Sequence, residues 1–322
     1  MLKSVVLSTL IFSSTLAAQG QSPLSYKAFL TDLESDLLKQ SIAPSQVKLA
    51  FQQAKLFRST TMASHEKSQP VSLEEYLPTL VTQDIVARAR QLFTQHRELL
   101  ANIEQRFGVQ PRFLIALWGI ETNFSQQFNL YNAMSVVTSL AYQEQSPSNI
   151  ENVASVIKLL ATNELSHQQL QTTKQGRVGL LNLSPTQYLK GYTDFDDGVV
   201  NVWGSLADSL ASTANYLSLE GWDKQYTWGR QVRLAKQANR SILASNQYRT
   251  LEQWDELGVI RYDGRKLPQV SLKARLRSLD GEKGRLYLTY QNFDYLTAWG
   301  GSERKALAVA LLSDRIKFMD IK

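Results

Sequence analysis

The sequence predicts an α+β fold, mainly helical, with a small antiparallel β element late in the chain. Apolar residues recur at helical spacing through most of its length. One stretch, Phe113-Leu-Ile-Ala-Leu-Trp-Gly-Ile120, has eight apolar or glycine positions in a row, so its helix is buried nearly all round. Between about Leu257 and Phe293 the pattern changes. There Gly258, Asp263-Gly264, Asp280-Gly281 and Gly284 punctuate runs such as Val259-Ile-Arg-Tyr262 and Arg285-Leu-Tyr-Leu-Thr-Tyr290. Turn residues between β-branched and aromatic residues mark short antiparallel strands.

The elements follow in order. Tyr26, Phe29, Leu30, Leu33 and Leu37 give a first helix, and Val47, Ala50 and Phe51 a second, with Ser45 as its N-cap candidate after Pro44. Residues 58 to 73 read as a polar loop. One long helix is expected from about Asp84 to Phe107, on the stripe of Ile85, Ala89, Leu92, Leu99, Leu100 and Ile103. Gly108 closes it as a C-terminal glycine. Pro111 opens the buried helix at a position that proline tolerates. Residues 143 to 149 form a polar break, helices resume at 150–165 and 205–219, and a last helix runs from about Ser302 to Phe318.

The ends and the composition narrow the function classes. Met1-Leu2-Lys3, an apolar run to Leu16 and Ala17-Ala18 have the form of a secretory signal peptide, residues 1–18. The run is shorter than the roughly 20 residues a membrane span needs. The absence of cysteine excludes disulfides, thiolate chemistry and a cysteine-borne lipid anchor. The net charge is +6, with basic residues scattered rather than clustered, which favours a mixed solvated surface over a nucleic-acid groove. His65, His96 and His167 lie far apart and make no zinc pattern; no metal or other cofactor is expected.

Glu121 is the candidate catalytic residue. It ends the apolar helix, and Leu114, Leu117 and Trp118 share its face. A carboxyl desolvated in this way favours its protonated form, as a general acid for glycosidic cleavage requires. A buried glutamate that simply pairs with a cation would give the same pattern.

Trp118-Gly-Ile-Glu-Thr-Asn-Phe124 resembles the catalytic helix end of the lytic murein transglycosylase B family. Ile103-Glu-Gln-Arg-Phe-Gly-Val109, Thr138-Ser-Leu-Ala-Tyr142, Ala207-Asp-Ser-Leu-Ala-Ser-Thr-Ala-Asn-Tyr-Leu217 with Gly221-Trp222, Gln291-Asn-Phe-Asp294, Ala306-Leu-Ala-Val309 and Asp314-Arg315 extend the likeness to the end of the chain. The resemblance implies a lysozyme-like helical core with added helices and a small β element. It divides the chain into a helical region with the catalytic core at 19–256, a β element at 257–293 and a C-terminal helix at 294–322 that packs on the core. It further implies non-hydrolytic cleavage of the MurNAc–GlcNAc bond of peptidoglycan in the periplasm, with Glu121 as acid and then base and a 1,6-anhydro sugar as product. Peptidoglycan strands would be the principal partner, other cell-wall enzymes further ones, and the protein a monomer.

The chain also departs from the family. In Thr172-Thr-Lys-Gln-Gly-Arg-Val-Gly-Leu-Leu-Asn-Leu-Ser-Pro-Thr186, Thr173 stands where the family has a site serine and Asn182 where it has a site glutamine. Asn182 is one methylene shorter, and reads as either a sugar contact or a loop residue. Tyr216 is retained, as either a site residue or a core aromatic. Trp299-Gly300 replaces a Tyr-Asn pair, and Lys305 a later site tyrosine; Trp299 keeps a ring for stacking on sugar. A family arginine pair is missing near Ser148-Asn149, which implies fewer charged contacts to the peptide stem. Asp194-Phe-Asp-Asp-Gly198 is one residue short of a calcium-type loop and is not expected to bind metal tightly. The expected site is thus Glu121 with Thr173, Asn182, Tyr216 and Trp299. The competing expectations are a binding protein that has lost turnover, and a hydrolase that would need a second carboxylate.

Overall fold

The computed structural model describes residues 25–39, 42–52, 54–60, 71–161, 166, 168–281 and 284–317. The expected signal peptide, His65 and His167 lie outside them. The chain opens with α1 (Tyr26–Leu38), α2 (Pro44–Gln52), α3 (Leu73–Leu80), α4 (Gln83–Gln95), α5 (Arg97–Phe107) and α6 (Pro111–Thr122). Next come β1 (Tyr131–Asn132), α7 (Ala133–Gln143), α8 (Pro147–Ala161), β2 (Gln171–Thr172), α9 (Pro185–Gly191) and α10 (Leu206–Glu220). The last part holds β3 (Gly229–Leu234), β4 (Tyr248–Thr250), α11 (Leu251–Glu256), β5 (Val259–Arg261), β6 (Lys273–Ser278), β7 (Leu286–Thr289), α12 (Gln291–Gly300) and α13 (Glu303–Lys317).

The expected mainly helical α+β class is the class observed, and α6 is its axis. Every residue from Arg112 to Ile120 is buried. Helices α4, α5, α10 and α13 all pack on α6, which is why its sequence has no polar face. Among the described residues no helix is long and apolar enough to cross a membrane.

One expected helix is corrected. The long helix of residues 84 to 107 is two helices, broken at His96, whose ψ of 23° leaves the helical range. The break lets α4 lie against α6 and α13 while α5 turns to α10. Helix α3 begins at Leu73, where the expected polar loop ends; residues 61–70 of that loop lie outside the described residues. Its start is a capping box: Ser72 accepts from the Glu75 backbone, and Glu75 accepts from the Ser72 N–H.

The sheet is antiparallel, in the order β4-β6-β7-β3-β5. It takes in residues 229–234 and 248–250, upstream of the expected β segment. It covers its own small core, including Val232, Trp254, Leu276 and Leu288. Strand β7 runs almost directly into α12, which returns the chain to the helical core, where Phe293, Leu296 and Trp299 are buried.

Candidate functional site

The end of α6 is shaped by three residues of the Trp118–Phe124 motif. Asn123 and Phe124 both adopt left-handed backbone, with φ of 53° and 57°. This folds the Phe124 ring back onto Trp118, edge to face at 5.4 Å. The ring fills the space beside Gly119, where a Cβ would stand 2.6 Å from Phe124 Cζ. Any larger residue at 119 would displace the ring. Glu121 is left on the last helical turn, its side chain only 3 % exposed.

The two oxygens of Glu121 have different surroundings. Oε2 accepts from Asn182 Nδ2 at 3.0 Å and from Lys305 Nζ at 2.6 Å. Oε1 is buried without a hydrogen-bond partner among the described residues. It faces Gly300, where a Cβ would lie 3.7 Å away. The sequence left open whether a cation pairs with this glutamate; one does, and it is Lys305 at the start of α13. The charge of Glu121 reaches further. It adds to burial in raising the Tyr76 phenol above its ordinary value, against the pull of Arg304. Burial lowers the Arg177 guanidinium, and the charge of Glu121 opposes that shift.

Asn182 reaches Glu121 because of a tight loop. Val178 and Leu183 exchange backbone hydrogen bonds of 2.7 and 2.8 Å, closing the chain over residues 179–182. Inside the loop Asn182 has φ of 62°, a left-handed conformation that asparagine tolerates better than most residues. The Thr122 hydroxyl donates to Leu180 O at 3.0 Å and fixes the loop to the end of α6.

Tyr216 and Trp299 do not touch the Glu121 carboxylate through any hydrogen bond; they meet each other, ring to ring at 5.8 Å. Both line a cavity of about 320 Å³ with Arg177, Gln187, Asn149 and Thr186. Trp299 is nearly buried, and its carbonyl accepts from Gln187 Nε2 at 3.3 Å. The Tyr216 phenol is pushed up to about 12, by burial first and then by the nearby negative charge of Glu220, so it stays a neutral hydroxyl. Thr173 sits in the adjoining turn, where its Oγ1 accepts from Arg177 N at 3.3 Å. Its own proton is left for another acceptor. Sequence reasoning did not include Arg177, Gln187 or Lys305 among the site residues. Lys305 was visible only as a replaced tyrosine, 184 residues from its partner.

The short acidic loop gathers Asp194, Asp196 and Asp208, with one carboxylate oxygen from each within 4.8 Å of the others. Asp208 is fully buried and holds the loop closed, accepting from Phe195 N at 2.8 Å and Asn201 N at 2.7 Å. Asp194 accepts from the backbone of Gly198, and Asp196 from the Ser205 hydroxyl. Burial, with the like charges of Asp196 and Asp194, raises Asp208 above the ordinary carboxylate value. These oxygens are hard donors, but a calcium ion takes about six to eight of them in a loop of defined spacing. These three carboxylates are fewer than that number, and each already accepts a hydrogen bond within the shortened loop.

Comparison with known proteins places this geometry. The family model described as "Transglycosylase SLT domain" matches residues 25–314. Membrane-bound lytic murein transglycosylase B of Escherichia coli K12 is 24 % identical over 247 residues, 75 % of this chain and 66 % of its own. The match therefore spans just under two thirds of that relative. SltB3 of Pseudomonas aeruginosa, crystallised with NAG-anhNAM-pentapeptide, superposes with a TM-score of 0.77 at 26 % identity, over 91 % of this chain and 80 % of its own. Soluble SltB1 of the same organism shares the fold, with a TM-score of 0.74 at 20 % identity, over 89 % of this chain and 97 % of its own. With a family model matched along nearly the whole described chain and lytic transglycosylases as its relatives, this chain belongs to the transglycosylase SLT domain family.

Proposed function

We propose that the protein is a peptidoglycan lytic transglycosylase that cleaves the β-1,4 bond between MurNAc and GlcNAc without water, with Glu121 as both acid and base. The observation that carries this reading is the asymmetry of the Glu121 carboxylate. Oε2 is held by Asn182 and Lys305, whereas Oε1 is buried and without a partner. A proton on Oε1 passes to the bridging oxygen as the C1–O bond breaks, and the pair of bond electrons leaves with that oxygen. The carboxylate then takes the proton of the muramic C6 hydroxyl as its oxygen bonds C1. The product ends in 1,6-anhydro-MurNAc, and Glu121 is protonated again.

A single carboxylate suffices for this sequence. The side chains that bond Glu121 among the described residues are Asn182 and Lys305, neither of them acidic. A hydrolase of the usual kind needs a second carboxylate to activate water, whereas the lyase needs none. Asn182 positions the acid, while Tyr216, Trp299 and Thr173 shape the cleft. The protein is proposed to be exported by residues 1–18, unanchored by lipid, and to work as a periplasmic monomer on glycan strands. The catalytic core is assigned to residues 19–256, with α13 returning to it.

One observation favours a second reading, a glycan-binding protein with little turnover. The Lys305 ammonium caps the acid. Mass analysis of muropeptides released from sacculi decides between the readings. The mature protein should give 1,6-anhydro ends, one water lighter than hydrolysis products, and Glu121→Gln should give none. Reducing ends instead would sink the lyase reading. Sacculus binding with no release by either protein would support the binding protein.

A further inference from the structure

Resting on that reading of the site, we propose that Arg177 and the cavity it lines form a subsite for a carboxylate carried on the muramyl side chain of the glycan. The argument begins with the turn that presents Arg177. Thr173 N donates to Arg177 O at 2.9 Å, Arg177 N donates to Thr173 Oγ1 at 3.3 Å, and Gly176 N donates to Thr173 O at 2.9 Å. Gly176 has φ of 73°, and a Cβ there would meet Leu140 Cδ1 at 2.8 Å. The turn is therefore fixed on both sides, and the backbone of Arg177 with it.

The side chain is not similarly engaged. The Arg177 guanidinium makes no hydrogen bond or ion pair among the described residues, although it is more buried than exposed. A guanidinium carries five N–H donors in a planar fork, and desolvating it without a partner is costly. Such groups are kept where a ligand completes them. Glu121 does not complete this one by a hydrogen bond: its Oε2 is held by Lys305 and Asn182, and its Oε1 bonds none of the described residues. Two cations, Lys305 and Arg177, thus feel the charge of one acid, and only Lys305 bonds it. The guanidinium lines the cavity of about 320 Å³ beside Tyr216, Trp299, Gln187 and Asn149. Glu151 is the one acidic side chain on that wall, and it is exposed.

A planar fork whose donors have no acceptor among the described residues, beside neutral aromatic and amide side chains, matches a carboxylate attached to a sugar. Peptidoglycan offers that chemistry from two sources. The lactyl group of MurNAc is a free carboxylate on strands stripped of peptide, and the stem peptide carries carboxylates on strands that keep it.

Binding, rather than turnover, tests the proposal. Calorimetry would compare the wild-type protein with Arg177→Ala and Arg177→Lys. The probes are N-acetylmuramic acid, its methyl ester, an N-acetylmuramyl dipeptide with a free carboxylate, the same dipeptide as its amide, and chitotetraose, which has no carboxylate. At least one acid should bind the wild type about tenfold more tightly than its neutral counterpart. Arg177→Ala should abolish that preference and Arg177→Lys should retain part of it, with chitotetraose binding unchanged in all three. A preference for muramic acid over its ester assigns the lactyl source, and one confined to the dipeptide assigns the stem. If acid and neutral forms bind alike, or the preference survives in Arg177→Ala, the subsite does not exist. Should Arg177→Ala also lose chitotetraose, Arg177→Gln, which keeps the amide geometry without charge, gives the deciding comparison. Failure here would leave Glu121-dependent cleavage intact, whereas failure of the cleavage reading would leave these affinities to be judged separately.

Discussion

Lys305 sets the working state of Glu121. Its ammonium, 2.6 Å from Oε2 and 28 % exposed at the side chain, holds the acid through a charge-assisted hydrogen bond. Such bonds are worth about 1.5–3 kcal/mol. Lys305→Met should therefore raise kcat on sacculi by about tenfold or more while leaving sacculus binding in place. An unchanged or lower kcat would show that the ammonium belongs to the working site and is not a brake on it. Glu121 drew notice as an acidic residue at the end of an eight-residue apolar run, a pattern that a glutamate paired with a cation gives as well. Its partner was not, because a lysine on a C-terminal helix has no local feature that names its contact. Trp299 was expected to stack on sugar; the structure puts it in the cavity wall against Tyr216, with most of its ring covered.

Among the elements, the loop that carries Asn182 separates conformation from chemistry. Asn182→Gly keeps the left-handed backbone and removes only the amide that bonds Glu121. Its melting temperature should change little, and its kcat should fall by about tenfold, the order of one hydrogen bond to a charged group. Wild-type activity in this variant would remove Asn182 from the site. The acidic loop allows a test in pH. Ionised Asp208 is disfavoured in the fold by burial and by Asp196 and Asp194. Because its folded value is raised, that cost is absent at low pH and grows as pH rises through and above the ordinary carboxylate range. Asp196→Asn, which removes one like charge, should raise the melting temperature at pH 7 and leave it unchanged at pH 3. Equal shifts at both pH values would mean the charge is not the cause. The helices themselves were legible from periodicity. The break at His96 was not, since the apolar stripe continues across it and only the different partners of α4 and α5 require the bend.

Across the whole molecule, several ion pairs join the parts, among them the one at Asp314. Asp314 on α13 accepts from Arg112 of α6 at 2.9 Å and from Trp228 Nε1, just before β3, at 2.9 Å. Asp314→Ala would leave a buried guanidinium without its anion, and should cost about 3–5 kcal/mol in urea unfolding at unchanged m. A loss below about 1 kcal/mol would show that Ser313 and Thr227, which also accept from Arg112, suffice. The fold class was readable from the sequence, but the sheet's extent was not. Gly229–Leu234 becomes a central strand only by pairing with β5 and β7, and those partners lie far along the chain. The same long reach governs how the protein is made. Glu121 emerges during synthesis 184 residues before Lys305, and Lys305 comes with the helix that seats it on α6. Contacts this distant in sequence are the slow ones to form. A chain stalled between the two would therefore carry the acid without its counter-charge, and the site is closed only when α13 docks on α6.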